Sequence, residues 1–266
     1  MTDGEAPTGA WDEGPFRLPN RTALVTGAGR GVGEGIARAL AAAGAAVAVN
    51  DLHPDRADRV VAEIAAAGGR ASAVPFDVTD AEGLAVALER IRETFGGVDI
   101  LVHNAGIPDG GSTMVRFGDM PSEAWRQQIE LNLVATMRLV QAVLPHQVAR
   151  GWGRIIHISS GASSRGLALG VGAYGAAKAG SEALMRHLGV EYGPVGITAN
   201  SLALGIMTGL EDSGSGLLQR LVQSVPIRRL GTGADVGAAA VWLSSAAGGF
   251  VNSLASHLTG GTACGR

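Results

Sequence analysis

The chain has 266 residues, 46% hydrophobic and 17% charged, with 41 glycines and a formal charge of -3. That length suits one large α/β domain, and the near-neutral charge gives no electrostatic basis for a nucleic-acid partner. Cys264 is the single cysteine, so neither a disulfide framework nor a cysteine-built metal site is available.

Residues 1–20 are acidic and rich in Gly and Pro, without the basic start and apolar run of a signal peptide, and read as a loose N-terminal tail. No segment approaches the ~18 apolar residues of a membrane span, so a cytoplasmic protein with no membrane partner is expected. From residue 21 to 266 short apolar runs alternate with amphipathic ones.

Thr22–Thr26 reads as a buried strand that passes through a glycine-rich turn into a helix over Gly33–Ala43. A second strand, Ala45–Asn50, precedes a helix carrying Ala57, Val60, Val61 and Ile64 at helical spacing. A third strand covers Ala71–Phe76. The next helix opens at Thr79-Asp80-Ala81-Glu82, which matches a capping box, with a stripe of Leu84, Leu88, Ile91 and Phe95.

Asp99–His103 reads as the fourth strand, and a long helix spans about Pro121 to Ala149. A strand at Arg154–Ile158, a helix over Ala173–Tyr192 and a strand at Ile197–Leu202 follow. Two more helical stretches and a closing strand near His257–Thr262 end the chain. Strict alternation implies parallel strands with helices on both faces, a single-domain, doubly wound, Rossmann-like α/β sheet. Ligands in such sheets bind beyond the carboxyl ends of the strands.

The turn after the first strand is Thr26-Gly27-Ala28-Gly29-Arg30-Gly31-Val32-Gly33. Glycines at 27, 31 and 33 let the backbone turn sharply and let a pyrophosphate approach a helix N-terminus, whose free N–H groups favour anions. Asp51 ends the second strand, where a carboxylate can accept hydrogen bonds from the adenosine ribose and repel a 2′-phosphate. A turn-capping Asp before Pro54 is the plainer alternative. Arg30 could instead hold a phosphate, so NAD is preferred and NADP is the weaker expectation.

The spacing G-x-x-x-G-x-G, in a chain of this length, resembles the single-domain branch of the short-chain dehydrogenase/reductase family over about residues 20–262. The resemblance places Val32, Leu52 and Met207 at the cofactor with Gly27, Arg30, Gly31, Gly33 and Asp51. It makes Asp77-Val78 an adenine contact and Asn104-Ala105-Gly106 a motif that steadies the sheet and lines the cofactor. His103 stands where the family often has a second Asn, and reads as a core strand residue.

Tyr174 and Lys178 stand four apart on one expected helix, so their side chains share a face. A phenol has a pKa of about 10, and a neighbouring ammonium favours phenolate, as general acid–base work near neutrality requires. Lys178 is the only lysine among 21 basic residues, and its compact charge differs in kind from arginine's planar fork.

Ser159 and Ser160 end the fifth strand, where a hydroxyl could hold a substrate oxygen opposite Tyr174. The resemblance selects Ser160 as catalytic, although the loop to Tyr174 is one residue longer than the commonest spacing. Asn132 lies inside the long helix, where its amide competes for backbone hydrogen bonds. In the family that position helps to hold a proton-relaying water, and Tyr174 and Lys178 also touch the cofactor. Leu204 replaces the usual proline after the sixth strand, and Thr208 falls one position early for the carboxamide contact.

These features point to hydride transfer between a secondary alcohol or ketone and NAD, with no metal and with dimers or tetramers built through the long helices, as the resemblance implies. Two rivals stand beside this reading. One is an NADP-linked reductase of 3-oxoacyl or polyketide substrates, and the other a non-catalytic NAD-binding regulator. Met114, Val115, Phe117, Leu167, Leu169, Met207 and Leu210 could wall an apolar substrate pocket or be ordinary packing, and Thr208–Ser224 reads as a lid.

Overall fold

The computed structural model describes residues 14–108, 114–209 and 216–262. Seven strands form one sheet: β1 (Thr22–Val25), β2 (Ala46–Val49), β3 (Arg70–Ala73), β4 (Ile100–His103), β5 (Gly153–Ser160), β6 (Ile197–Leu204) and β7 (Ala255–Leu258). Every pairing is parallel, in the order β3-β2-β1-β4-β5-β6-β7. The doubly wound expectation is met, and the order reverses between β1 and β4, where such sheets open a crevice.

The helices are α1 (Gly31–Ala42), α2 (Pro54–Ala66), α3 (Ala81–Phe95), α4 (Ser122–Ile129), α5 (Ala135–Arg150), α6 (Gly172–Tyr192), α7 (Leu217–Ser224) and α8 (Gly233–Ser244). Alternate strand residues feed opposite faces. Val25, Val49, Val102 and Ile156 pack with Ile36, Leu40, Val60 and Val236 of α1, α2 and α8. Leu24, Leu101 and Ile155 pack with Leu84, Ile91, Leu139 and Met185 of α3, α5 and α6.

Several boundaries differ from the sequence reading, each for a local reason. The third strand stops at Ala73 because Asn50 Nδ2 donates to the carbonyls of Val74 and Phe76. Helix α3 is capped by Asp80, which accepts from the Glu82 N–H, while Thr79 bonds to Asp77. The capping box expected at Thr79–Glu82 is therefore absent, replaced by a single Asp80 cap; a true capping box closes the start of α8, between Thr232 and Asp235. The closing strand ends at Leu258, before Gly260 and Gly261 turn at φ of 60° and 93°.

The long helix expected over 121–149 is interrupted by a five-residue π turn, Glu130–Val134, centred on Asn132. Sheet strand β6 runs on through Leu204, which pairs with Ser160 and Leu258 where a proline would lack the N–H to continue the ladder. At the other end, Leu18 is buried and its N–H donates to the Ala43 carbonyl at 2.8 Å. The packed chain thus reaches back into the stretch read as a loose tail.

Candidate active site

The carboxyl ends of β1, β2, β4, β5 and β6 open on a crevice of about 1420 Å³. That volume exceeds the several hundred Å³ of an ordinary small-molecule pocket and suits an extended ligand with a second molecule beside it.

At one end lies the glycine turn. Gly27 and Gly31 hold φ of 58° and 57°, a left-handed backbone that favours glycine. A Cβ on Gly33 would stand 2.2 Å from the Gly27 carbonyl oxygen, so the start of α1 presses directly on the turn. A Cβ on Gly31 would meet nothing within 4 Å, so the backbone there faces open crevice. Arg30 sits at the N-cap of α1 without making a side-chain capping bond. The first-turn N–H groups are left to an anion, and the cradle fits the pyrophosphate of a dinucleotide.

Asp51 is buried at the end of β2. Its Oδ2 accepts from the Gly29 N–H and its Oδ1 from the His53 N–H, both at 3.0 Å. Asp51 therefore caps the turn before Pro54, braces the glycine turn and also lines the crevice. Arg56, which the sequence reading did not single out, stands 3.9 Å from Asp51 and lines the same end. Only the fold reveals it, because it lies on α2 among ordinary surface arginines. Leu52, Asp77 and Val78 complete that end.

Asn104 ties the turn to β4: its Nδ2 lies 3.0 Å from the carbonyls of both Thr26 and Gly27, while Thr26 Oγ1 accepts from the N–H groups of Asn104 and Ala105. Ala105 and Gly106 line the crevice beyond it. A Cβ on Gly106 would lie 2.6 Å from Asn132 Oδ1 and 2.9 Å from Lys178 Nζ, so glycine is required for both groups to approach the wall.

Behind that wall Asn132 is fully buried in the π turn. Its Nδ2 stands 3.1 Å from the Gly106 carbonyl and from Gln128 Oε1. Its own carbonyl accepts from Thr136 Oγ1 and Ser181 Oγ at 2.8 and 2.7 Å. The side-chain amide that would compete with the helix backbone is thus engaged by Gly106 and Gln128.

The first turns of α6 bring Tyr174 and Lys178 to the crevice. Lys178 is 2% exposed, donates to the Ile158 carbonyl at 2.6 Å and lies 5.7 Å from the centre of the Tyr174 ring. Burial pulls its pKa down to about 7, opposed by the negative charge of Glu182. Tyr174 is pushed above its ordinary value by burial, partly offset by a hydrogen bond with Ser160.

The effect expected of the neighbouring ammonium, which favours phenolate, is thus opposed by burial of the phenol itself. Lys178 Nζ is directed at the Ile158 carbonyl, and desolvation of the phenolate is the larger effect on Tyr174. The two serines also separate. Both line the crevice, but Ser160 hydrogen-bonds with Tyr174, whereas the Ser159 hydroxyl donates to Glu182.

Every cofactor and catalytic residue expected from the sequence lines this crevice except Gly33 and Asn132, which lie just behind its wall. Met207 lines it beside Thr208, whose N–H donates to the Gly231 carbonyl at 2.7 Å. Of the possible substrate-pocket walls, Met114, Phe117 and Leu169 are exposed and Leu210 lies outside the described residues, as does part of the expected lid.

A family model described as enoyl-(acyl carrier protein) reductase matches residues 27–263. The 7alpha-hydroxysteroid dehydrogenase of Escherichia coli is 35% identical over 251 residues, covering 92% of this chain and 95% of its own. The chain belongs to the short-chain dehydrogenase/reductase family.

A solved 7 alpha-hydroxysteroid dehydrogenase complexed with NADH and 7-oxo glycochenodeoxycholic acid superposes with a TM-score of 0.85 at 34% identity, over 93% of this chain and 96% of that one. A gluconate 5-dehydrogenase from Burkholderia cenocepacia, in complex with NADP and tartrate, gives 0.85 at 32% identity, over 94% and 98%. As a member of this family, the chain is an NAD(P)-dependent oxidoreductase interconverting a secondary alcohol and a ketone. No helix among the described residues is long and apolar enough to cross a membrane.

Proposed function

We propose that Tyr174 is the general acid/base of this oxidoreductase, that Ser160 holds the reacting oxygen, and that the dinucleotide is NAD rather than NADP. The observation that carries the reading is the convergence of Ser160, Tyr174 and Lys178 on the crevice that also holds the glycine cradle and Asp51. Gly27, Gly31 and the start of α1 would hold the pyrophosphate, Asp51 the adenosine ribose, Asp77 and Val78 the adenine, and Asn104 to Gly106 with Met207 the inner part. When bound, the nicotinamide ring supplies the hydride acceptor or donor and, oxidised, a positive charge.

The chain's own groups move the proton. In the oxidation direction the Tyr174 oxygen takes the proton of the alcohol, while the Ser160 hydroxyl donates to the same oxygen and fixes it. In reduction the phenol returns the proton to the carbonyl oxygen. Lys178, held by the Ile158 carbonyl, keeps its positive end beside the phenol ring. Asn132 Oδ1, buried without a partner, converges with Nζ behind Gly106 and offers an acceptor to a proton carrier leaving the site.

Asp51 favours NAD because a carboxylate held by two backbone N–H groups presents fixed negative charge where a 2′-phosphate would sit. Arg30 and Arg56 at the same end favour NADP, which keeps the NADP-linked reductase as the second reading. Assembly into dimers or tetramers through the long helices belongs to the same proposal.

One experiment tests both halves. Like the unsubstituted chain, Tyr174→Phe should bind NADH more tightly than NADPH, and it should lose turnover by at least about a hundredfold with hydroxysteroid and keto-sugar-acid substrates. Retained turnover defeats the role of Tyr174, and equal affinity for the two dinucleotides defeats the choice of NAD.

A further inference from the structure

Four residues beyond Lys178 on the same face of α6 lies Glu182, a carboxylate 8% exposed and outside the crevice lining. A buried carboxylate is costly unless its oxygens are engaged. Glu182 Oε1 accepts from Ser159 Oγ and from Ser163 Oγ, the latter at 2.6 Å. These hydroxyls flank Ser160 in sequence, one at the end of strand β5 and one at the end of the short helical turn Gly161–Ser163.

Ser160 lies between them, next to Ser159. Its Oγ accepts from the Ala162 N–H at 3.2 Å, and its carbonyl lies 2.7 Å from Ser163 Oγ. A Cβ on Gly175 would stand 2.5 Å from the Ala162 carbonyl oxygen, so α6 is pressed against this turn and leaves it little freedom. The turn that presents Ser160 to Tyr174 is thus pinned from beneath by one carboxylate oxygen.

We propose that Glu182 is a positioning residue of the active site, clamping the two serines around Ser160 while standing as the counter-charge to Lys178 one helical turn away. This rests on the roles given above to Ser160 and Lys178. Glu182 touches neither crevice nor reacting atoms and acts through those two side chains.

The groups facing Lys178 bear this out. Tyr174 and Glu182 share its helix, His103 faces it from β4 and His157 from β5. Both imidazoles are held neutral by full burial, and the phenol is pushed up by burial, so Glu182 is the one anion in this set. Its charge raises the Lys178 pKa against the burial that brings it to about 7.

Because Lys178 is the only lysine, carbon-13 labelling of lysine gives a single side-chain signal whose titration reports this site in the intact protein, with or without activity. In Glu182→Gln the midpoint should fall by about one pH unit, the scale of a lost opposite charge at this range. The kcat should fall about tenfold or more, as misplacement of a reacting group does, with little change in KM for the alcohol. Glu182→Asp should recover most of the midpoint, and Ser163→Ala should leave the midpoint in place while lowering kcat.

An unmoved lysine midpoint, or an unchanged kcat, in folded Glu182→Gln overturns the proposal. Should that variant fail to fold, Ser163→Ala and Glu182→Asp decide it by the same two readouts. If the midpoint shifts but Tyr174→Phe remains active, the catalytic reading fails and the charge coupling stands.

Discussion

Lys178 illustrates what a buried amine costs the fold that carries it. An unfolded lysine is charged below about pH 10.5, whereas this one, 2% exposed, holds its proton only below about 7. The folded pKa is lowered, so stability is lost as pH falls from about 10.5 to about 7, up to roughly 5 kcal/mol before the burial is discounted for relaxation. Lys178→Met, of similar length and no charge, should therefore raise Tm by a few degrees and abolish turnover. The gain is trimmed because Glu182 loses its counter-charge. Calorimetry at pH 7 beside a turnover assay checks this; a lower Tm would mean that the bond to Ile158 outweighs desolvation. At this scale much was legible. A lone lysine four residues from one of two tyrosines draws attention without any coordinates. The pKa balance was not, because burial and the direction of Nζ depend on β5 and on the π turn at Asn132, which the sequence does not bring beside it. Glu182 gave no signal in the sequence, since a Glu on a helix is ordinarily a solvated residue.

At the scale of elements, α1 and α8 cross with almost no side chain between them. A Cβ on Gly35 would stand 2.3 to 2.5 Å from backbone atoms of Gly233, and one on Gly237 would lie 2.7 Å from the Gly35 carbonyl oxygen. Backbone cannot swing aside as a side-chain tip can, so the helices must separate. Gly35→Ala should cost about 1–3 kcal/mol despite alanine's better helix propensity, and should weaken dinucleotide binding because α1 carries the cradle. Chemical denaturation and a binding titration measure both, and an unchanged unfolding midpoint would show that the crossing has slack. Periodicity made the helices visible from the sequence, yet it could not announce this pair, whose contact residues lie about 200 positions apart in the chain. Nor could it show the π turn at Glu130–Val134, since one extra residue per turn barely disturbs a hydrophobic stripe. Strand ends slipped by a few residues wherever a side chain, such as Asn50, took over the ladder's hydrogen bonds.

For the whole molecule, acid acts through the middle of the sheet. His103 and His157 pair in register on β4 and β5, fully buried, with ring centres 5.7 Å apart. His103 Nδ1 meets Thr136 Oγ1 at 2.8 Å, and neither nitrogen of His157 has a protein partner. Burial first, then the charge of Lys178, takes His103 to about 3 and His157 well below its ordinary value. Both folded values lie below the unfolded value of about 6.5, so the unfolded chain binds the extra protons. Stability is full above pH 6.5 and is lost as pH falls through the window toward 3, at about 1.4 kcal/mol per pH unit for each imidazole. Between pH 7 and pH 5.5 the pair should cost about 3 kcal/mol, a large fraction of the 5–15 kcal/mol by which domains are usually stable. Urea denaturation across that range should show the decline, and His157→Asn should roughly halve its slope, since asparagine carries no titrating proton. A denaturation midpoint that stays level from pH 7 to 5.5 would mean that the sheet admits the charge after all, through water or through movement of Thr136 and α5.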